Sequence, residues 1–161
     1  MNKKLFFTVL LACSLNFLGF SQNVQDELLN YINKGLPKVG ELEQKALDSY
    51  ASVTGTNYKD DNTTYNTMVN TVIPTYSSMI KKLKALSTSL KTTEVQTFNE
   101  LYLVAAKIQL SGFNIFVEGL EKGDISIVQL ANKKLERARK LMDEWSNEMD
   151  ELCNYYGVTS Q

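Results

Sequence analysis

The chain has 161 residues, with 17 Lys and Arg against 18 Asp and Glu, and it contains no histidine. This near-neutral balance lacks the basic surface of a nucleic-acid-binding domain. The missing histidine excludes His-based acid–base catalysis, Ser–His–Asp triads, the usual zinc sites and the Glu-x-x-His motif of di-iron bundles. No glycine-rich phosphate loop is present in the sequence either. We therefore expect a protein that is not an enzyme and that uses no cofactor and no metal.

The N-terminus has a pattern typical of exported proteins. Lys3 and Lys4 form a positively charged start, residues 5–18 are mostly apolar, and small residues stand at Gly19 and Ser21. The apolar stretch is too short to span a bilayer but has the length of a signal-peptide core. The pattern predicts cleavage directly after Ser21.

The predicted domains are a secretory signal peptide over 1–21 and one bundle domain over 22–161. We expect this domain in the periplasm or outside the cell, with no transmembrane helix after the leader. Cys13 leaves an alternative open, because LLAC resembles a lipidation signal that would anchor the protein to a membrane. However, Leu11 stands where a small residue is usual, and the residues after Cys13 stay apolar instead of forming a polar tether. Simple cleavage is therefore the preferred interpretation.

Two helical segments follow the leader. Apolar residues recur every three or four positions over 24–54 and again over 61–91, which is the period of an α-helix. Asn23 is placed to cap the first of these helices. The polar run at 54–62 predicts the loop between them.

The last two helices have clearer boundary signals. These signals are the capping-box pair Thr93 and Gln96, the stop signal Gly123, the caps Asp124 or Ser126, and the stop signal Gly157. They predict a third helix over 94–122 and a fourth over 125–156. Apolar residues in the fourth helix follow nearly a strict heptad, which is typical of coiled-coil packing.

The four segments together predict one architecture. Each has about thirty residues, which corresponds to a helix roughly 45 Å long. The last two connections are only a few residues long, and such connections join antiparallel neighbours. The sequence therefore predicts an all-α fold, a single up-down-up-down antiparallel four-helix bundle.

Both prolines fall inside helical segments. A proline removes a backbone hydrogen bond and crowds the carbonyl four residues earlier, so Pro37 and Pro74 each predict a kink in a continuous helix. Counted from the turns, the two prolines and Gly112 lie at about the same height in the bundle, and Gln109 and Ala138 fall in the same stretch. This layer is either a waist where helices approach each other or a ligand pocket between splayed helices.

The acidic residues and the remaining cysteine indicate no reactive centre. Glu43 and Glu118 lie at the edges of apolar stripes without an evident partner. Asp60 and Asp61 lack the ligand spacing of a calcium loop. Cys153 is the only cysteine after the leader, so it is either a small packed residue or the site of an intermolecular bridge.

The charges of the fourth helix are segregated along its length. Residues 132–140 are mostly basic and residues 143–151 are mostly acidic. Such a face is either simply solvated or a docking surface for a partner or for a second copy of the chain.

Two functions fit these observations. The first is an exported, non-enzymatic helical-bundle protein of the bacterial cell envelope that acts as an interaction or structural module, with a protein partner or through self-association. The alternative is a carrier or sensor that binds an apolar small molecule between helices near Pro37, Pro74 and Gly112.

Overall fold

A computed structural model describes residues 22–158, and these residues form helices and no strand. Four long helices form a helical bundle, which confirms the predicted all-helical class. The predicted signal peptide and Cys13 lie outside the described residues. The helices, named in chain order, are α1 (22–30, Tyr31–Gly35 and Leu36–Ala51), α2 (Asp61–Thr67, Met68–Val72 and Ile73–Ser87), α3 (Thr93–Lys122) and α4 (Ile125–Tyr156).

The helix ends agree closely with the prediction except at the ends of α1 and α2. These helices end at Ala51 and Ser87, before the predicted ends at 54 and 91. The hydroxyls of Thr54 and Thr88 each donate to a backbone carbonyl of the last turn at 2.8 Å. Such side chains compete with the backbone amides that would continue a helix, so both helices stop early.

The start of α3 differs from the predicted capping box at Thr93 and Gln96. The N-cap is Thr92, and Gln96 donates instead to the carbonyl of Leu90 at 2.8 Å. The N-cap residue itself is held by the carboxylate of Glu27 of α1. This carboxylate accepts hydrogen bonds from the Thr92 amide at 2.7 Å and from the Thr92 hydroxyl at 2.5 Å.

Of the other predicted helix ends, three are confirmed and one is wrong. Asp124 caps α4 by accepting from the amide of Ser126 at 2.8 Å, as one of the two predicted alternatives. Gly123 and Gly157 end α3 and α4 with φ of 59° and 65°, a left-handed conformation that favours glycine. Asn23 lies within a helix and does not cap it.

Neither proline breaks its helix. Each follows a wide π-type turn, in which the Leu36 amide donates to the Tyr31 carbonyl and the Ile73 amide donates to the Met68 carbonyl. Each of these bonds joins residues five apart instead of four, so the register of the helix hydrogen bonds shifts by one residue. The shift comes directly before the proline, which has no amide hydrogen to donate. The helical path continues through both sites, as the unbroken apolar pattern predicts.

The third helix is the central one in the core. It contributes more fully buried side chains than any other helix, including Phe113 and Tyr102. By length and composition alone α3 could also cross a membrane, although no such helix is expected from the sequence pattern. In the bundle its apolar side chains pack against α1, α2 and α4.

The α3–α4 seam is closed because two glycines let the helices approach. A Cβ atom on Gly112 would lie 2.7 Å from Leu135 Cδ2, and one on Gly119 would lie 2.9 Å from the backbone nitrogen of Val128. Only glycine allows this spacing without movement of the neighbour. The backbone of α4 therefore lies directly against α3.

Side-chain hydrogen bonds join three helices at the end of the bundle near the α2–α3 loop. The Tyr31 hydroxyl donates to the fully buried Asn99 at 3.1 Å, and Asn99 donates to the Ser87 hydroxyl at 2.5 Å. These bonds join α1, α2 and α3. The polar groups of Asn99 are thus satisfied inside an apolar cluster.

Candidate functional site

A cleft opens between α1 and α4. Its volume is about 710 Å³. Gln109 of α3 also borders it. We call it the α1–α4 cleft; its lining residues are Glu43, Leu47, Tyr50, Gln109, Asn132, Leu135, Glu136, Arg139, Met142, Trp145 and Ser146.

Glu43 enters this cleft from a position that the helix turns toward the core. Val39 and Ala46, which precede and follow it on the same face of α1, are fully buried. The side chain of Glu43 is half-buried between them. The geometry of α1 therefore holds a carboxylate where its neighbours in the stripe are apolar.

Two tyrosine hydroxyls hold this carboxylate from the core side. Tyr102 of α3 donates to Glu43 Oε2 at 2.6 Å, and Tyr76 of α2 donates to Oε1 at 3.4 Å. Burial raises the pKa of Glu43 above its ordinary value, although the two hydrogen bonds act in the opposite direction. Burial and the charge of Glu43 also raise the pKa of both tyrosines, so their hydroxyls remain donors.

Glu43 has no basic partner in the described part of the chain. The two ion pairs found over 22–158 are Lys122–Glu118 at 2.6 Å and Lys140–Glu136 at 3.1 Å. Glu43 therefore faces the cleft as a carboxylate bound only by neutral donors. A partly desolvated charge of this kind is destabilising unless a partner compensates it.

Trp145, the one tryptophan of the chain, forms an aromatic wall of the cleft. Its ring stacks on Phe98 with centroids 5.1 Å apart and lies 4.5 Å from the ring of Tyr102. The Nε1 atom of Trp145 is buried and has no hydrogen-bond partner among the described residues. Aromatic side chains thus connect the wall of the cleft to the tyrosine that binds Glu43.

A second, slightly larger cleft of about 770 Å³ lies between the start of α1 and the α2–α3 loop. Its carboxylate, Glu27, is already occupied by the Lys91 amide and by the amide and hydroxyl of Thr92. Burial alone would raise the pKa of Glu27, but these hydrogen bonds lower it below its ordinary value. Glu27 has a structural role, so we do not take this cleft as the candidate site.

The proline–glycine layer is not assembled into one pocket. Pro37 and Pro74 are exposed, Leu135 occupies the space beside Gly112, and Ala138 is fully buried. Of the five residues predicted for this layer, Gln109 alone borders the α1–α4 cleft. The cleft thus lies beside the predicted layer, and a different set of side chains lines most of it.

The other polar residues singled out from the sequence have local roles. Asp60 caps the first turn of α2 by accepting from the Thr63 amide at 2.7 Å, and Asp61 accepts from the Tyr58 hydroxyl at 2.9 Å. Glu118 is exposed and pairs with a lysine of its own helix. Within residues 22–158, no group of three metal-ligating side chains comes together.

Sequence reasoning missed the partners of Glu43, and one signal could have found them. Glu43 stands four residues after Val39 and three before Ala46, so it faces the core and not merely the edge of the stripe. Tyr76 and Tyr102 lie on the core stripes of α2 and α3, where a buried hydroxyl needs a partner. A carboxylate and two tyrosines at core-facing positions indicate a buried polar cluster.

Comparison with known proteins adds no further assignment. No family model matches the chain, and no curated protein or solved structure matches it either. The functional assignment therefore rests on the side chains of the α1–α4 cleft.

Proposed function

We propose that this chain is an exported, non-enzymatic helical bundle that binds a small molecule in the α1–α4 cleft, as a carrier or sensor. The observation that carries this proposal is the carboxylate of Glu43, which lies half-buried and without a basic partner in a largely apolar cleft of about 710 Å³. Folding alone favours an apolar residue at this position. A perturbed ionisable group in a cleft is typical of a functional site.

The proposal includes the order of the helices and the export of the protein. An up-down-up-down arrangement is supported by the short connections after α2 and α3. Export is supported by the leader pattern over 1–21, with lipidation at Cys13 as the alternative. The ligand position differs from that predicted near Pro37 and Pro74, because side chains of α1 and α4 form the wall of the cleft.

Binding of a neutral apolar dye, N-phenyl-1-naphthylamine, tests this function. We expect its emission to rise with the wild-type protein and to stay low with Ser146→Phe, which places a ring in the cleft. Asn147→Phe is the matched control, because this neighbouring residue is exposed and does not line the cleft. Equal dye binding by the two phenylalanine variants, or no binding by the wild type, would refute the proposal.

A second candidate is the interaction module, and it is favoured by the surface of α4. This helix has 32 residues but fully buries only Ala131 and Ala138. Its exposed face is basic over 132–140 and acidic over 143–151, so two antiparallel copies would place opposite charges together. Light scattering should then find a dimer at low salt that dissociates at high salt. A monomer under both conditions would reject self-association through α4.

A further inference from the structure

We propose that the α1–α4 cleft binds an organic ammonium cation with an apolar body and that the carboxylate of Glu43 anchors its charged end. This inference deepens the proposed function and rests on it.

The carboxylate of Glu43 has free hydrogen-bonding capacity. Its two oxygens together offer about four acceptor positions, and Tyr76 and Tyr102 use one on each oxygen. Both hydroxyls are neutral donors, so they orient the carboxylate without neutralising it. An ammonium group supplies up to three donors and a compensating charge.

The core side of the carboxylate is fixed before any ligand arrives. Tyr76 comes from α2 and Tyr102 from α3, and both tyrosines are buried. The ring of Tyr102 lies 4.5 Å from that of Trp145 on α4, so packing restrains the donor as well. A pre-organised anion binds a cation with a smaller loss of conformational entropy.

The walls of the cleft suit the apolar body of the ligand. Leu47, Leu135 and Met142 supply aliphatic and thioether surface, and Tyr50 and Trp145 supply aromatic rings. Aromatic rings attract cations, because the ring faces carry negative charge density. A cleft of about 710 Å³ lies within the common range for small-molecule sites.

Other ligand classes fit the charges less well. An anion would be repelled by Glu43, whereas Glu136 at the rim is exposed and already paired with Lys140 at 3.1 Å. A bare metal ion would find too few ligands, because the described residues bring no three metal-ligating side chains together. Arg139 also lines the cleft, but it is exposed beside Tyr50 and forms no ion pair with Glu43, so solvent screens its charge.

The test compares three probes of nearly equal shape: phenethylamine, its neutral counterpart 2-phenylethanol, and the anion phenylacetate. Trp145 is the sole tryptophan and lines the cleft, so its fluorescence reports binding there directly. We expect the amine to bind at least about tenfold more tightly than the alcohol, since a hydrogen bond to a charged group contributes about 1.5–3 kcal/mol. Phenylacetate should bind more weakly than the alcohol.

Two glutamate variants then locate the effect. Glu43→Gln should weaken amine binding at least about tenfold and alcohol binding much less, because the amide keeps the shape and loses the charge. Glu136→Gln is the matched control at the rim of the cleft, and we expect it to change amine binding less than about threefold. Circular dichroism verifies that each variant is folded.

The outcomes separate the two proposals. Equal binding of amine and alcohol to the wild type would overturn the ammonium assignment, and this result needs no variant. If the naphthylamine dye still binds in the cleft, the proposed function survives that failure. An equal loss of amine binding in both glutamate variants would also overturn the role of Glu43, because it would reflect net charge alone.

Discussion

The two sides of α4 differ in how closely the helix approaches its neighbours. Toward α3, Gly112 and Gly119 bring Leu135 and Val128 into direct contact with the α3 backbone. Toward α1, the same helix borders a cleft of about 710 Å³. Leu135 takes part in both, since it fills the space beside Gly112 and also lines the cleft. We infer that the glycines draw α4 toward α3 and leave its other side uncovered.

The two carboxylates of α1 show the same contrast. Glu27 accepts three hydrogen bonds at the start of α3, and its pKa is lowered. Glu43 accepts two from neutral hydroxyls beside the open cleft, and burial raises its pKa. One carboxylate stabilises the bundle, whereas the other is retained in a position unfavourable for folding. We propose that this difference separates a structural role for Glu27 from a binding role for Glu43.

The largest expected effect on stability comes from adding a methyl group at Gly119, where α3 and α4 are in close contact. Gly119→Ala would place a Cβ 2.9 Å from the Val128 backbone nitrogen, which cannot move without shifting α4. We expect the free energy of unfolding to fall by about 3 kcal/mol. Urea denaturation measures this change. Gly40→Ala is the control: apart from the helix's own adjacent backbone, no atom lies within 4 Å of the added Cβ, so this variant should stabilise the helix by about 0.5–1 kcal/mol.

A smaller effect is expected at Gly112. The added methyl of Gly112→Ala would meet the side chain of Leu135, which can rotate, so we expect a loss of about 1–2 kcal/mol. Because Leu135 also lines the cleft, the variant should weaken binding of the naphthylamine dye. Unchanged dye binding in a destabilised variant would show that the α3–α4 contact and the α1–α4 cleft are independent of each other.

Glu27→Gln should destabilise the protein by about 1 kcal/mol. The amide keeps one acceptor oxygen but loses the negative charge at the start of α3, and partial exposure of Glu27 limits the effect. The lowered pKa means that this contribution is present at neutral pH and is lost as pH falls through the pKa of the folded state. Urea denaturation at neutral and acidic pH should therefore find the difference from wild type shrinking in acid.

The same substitution at Glu43 should have the opposite sign and the smallest size. Glu43→Gln removes a desolvated charge and keeps an acceptor for Tyr102, so we expect stability at neutral pH to rise by about 0.5 kcal/mol. Because the pKa of Glu43 is raised, the wild type should regain this difference as pH falls through that pKa toward values below 4.5. Tyr76 and Tyr102 do not titrate in this range, and Glu136 and Arg139 are present in both proteins.

A pH profile of urea denaturation measures this difference directly. Destabilisation by Glu43→Gln at neutral pH would show that the carboxylate is structural, like Glu27. The comparison between the two carboxylates would then fail, and with it the main support for the binding site.

Most of the fold could be predicted from local signals. The apolar period identified all four helices, and Gly123, Asp124 and Gly157 marked their ends, because caps and stop signals act within one helical turn. The capping box at Thr93 was wrong for the opposite reason: the N-cap is Thr92, and its amide and hydroxyl are bound by Glu27, which is distant in the sequence. The candidate site was predicted least well, since only Gln109 of the predicted layer borders the cleft.

The sequence by itself determined the helices, their approximate lengths and the absence of histidine chemistry, because hydrophobic period and residue type are local properties. The tertiary structure alone decided that α4 packs closely on α3 and borders a cleft toward α1, because this depends on how glycines of α3 meet side chains of α4. It also decided that Glu43 meets Tyr76 and Tyr102, which come from two other helices. The electrostatic environment of a side chain is set by neighbours that packing supplies, and no pattern within one helix contains them.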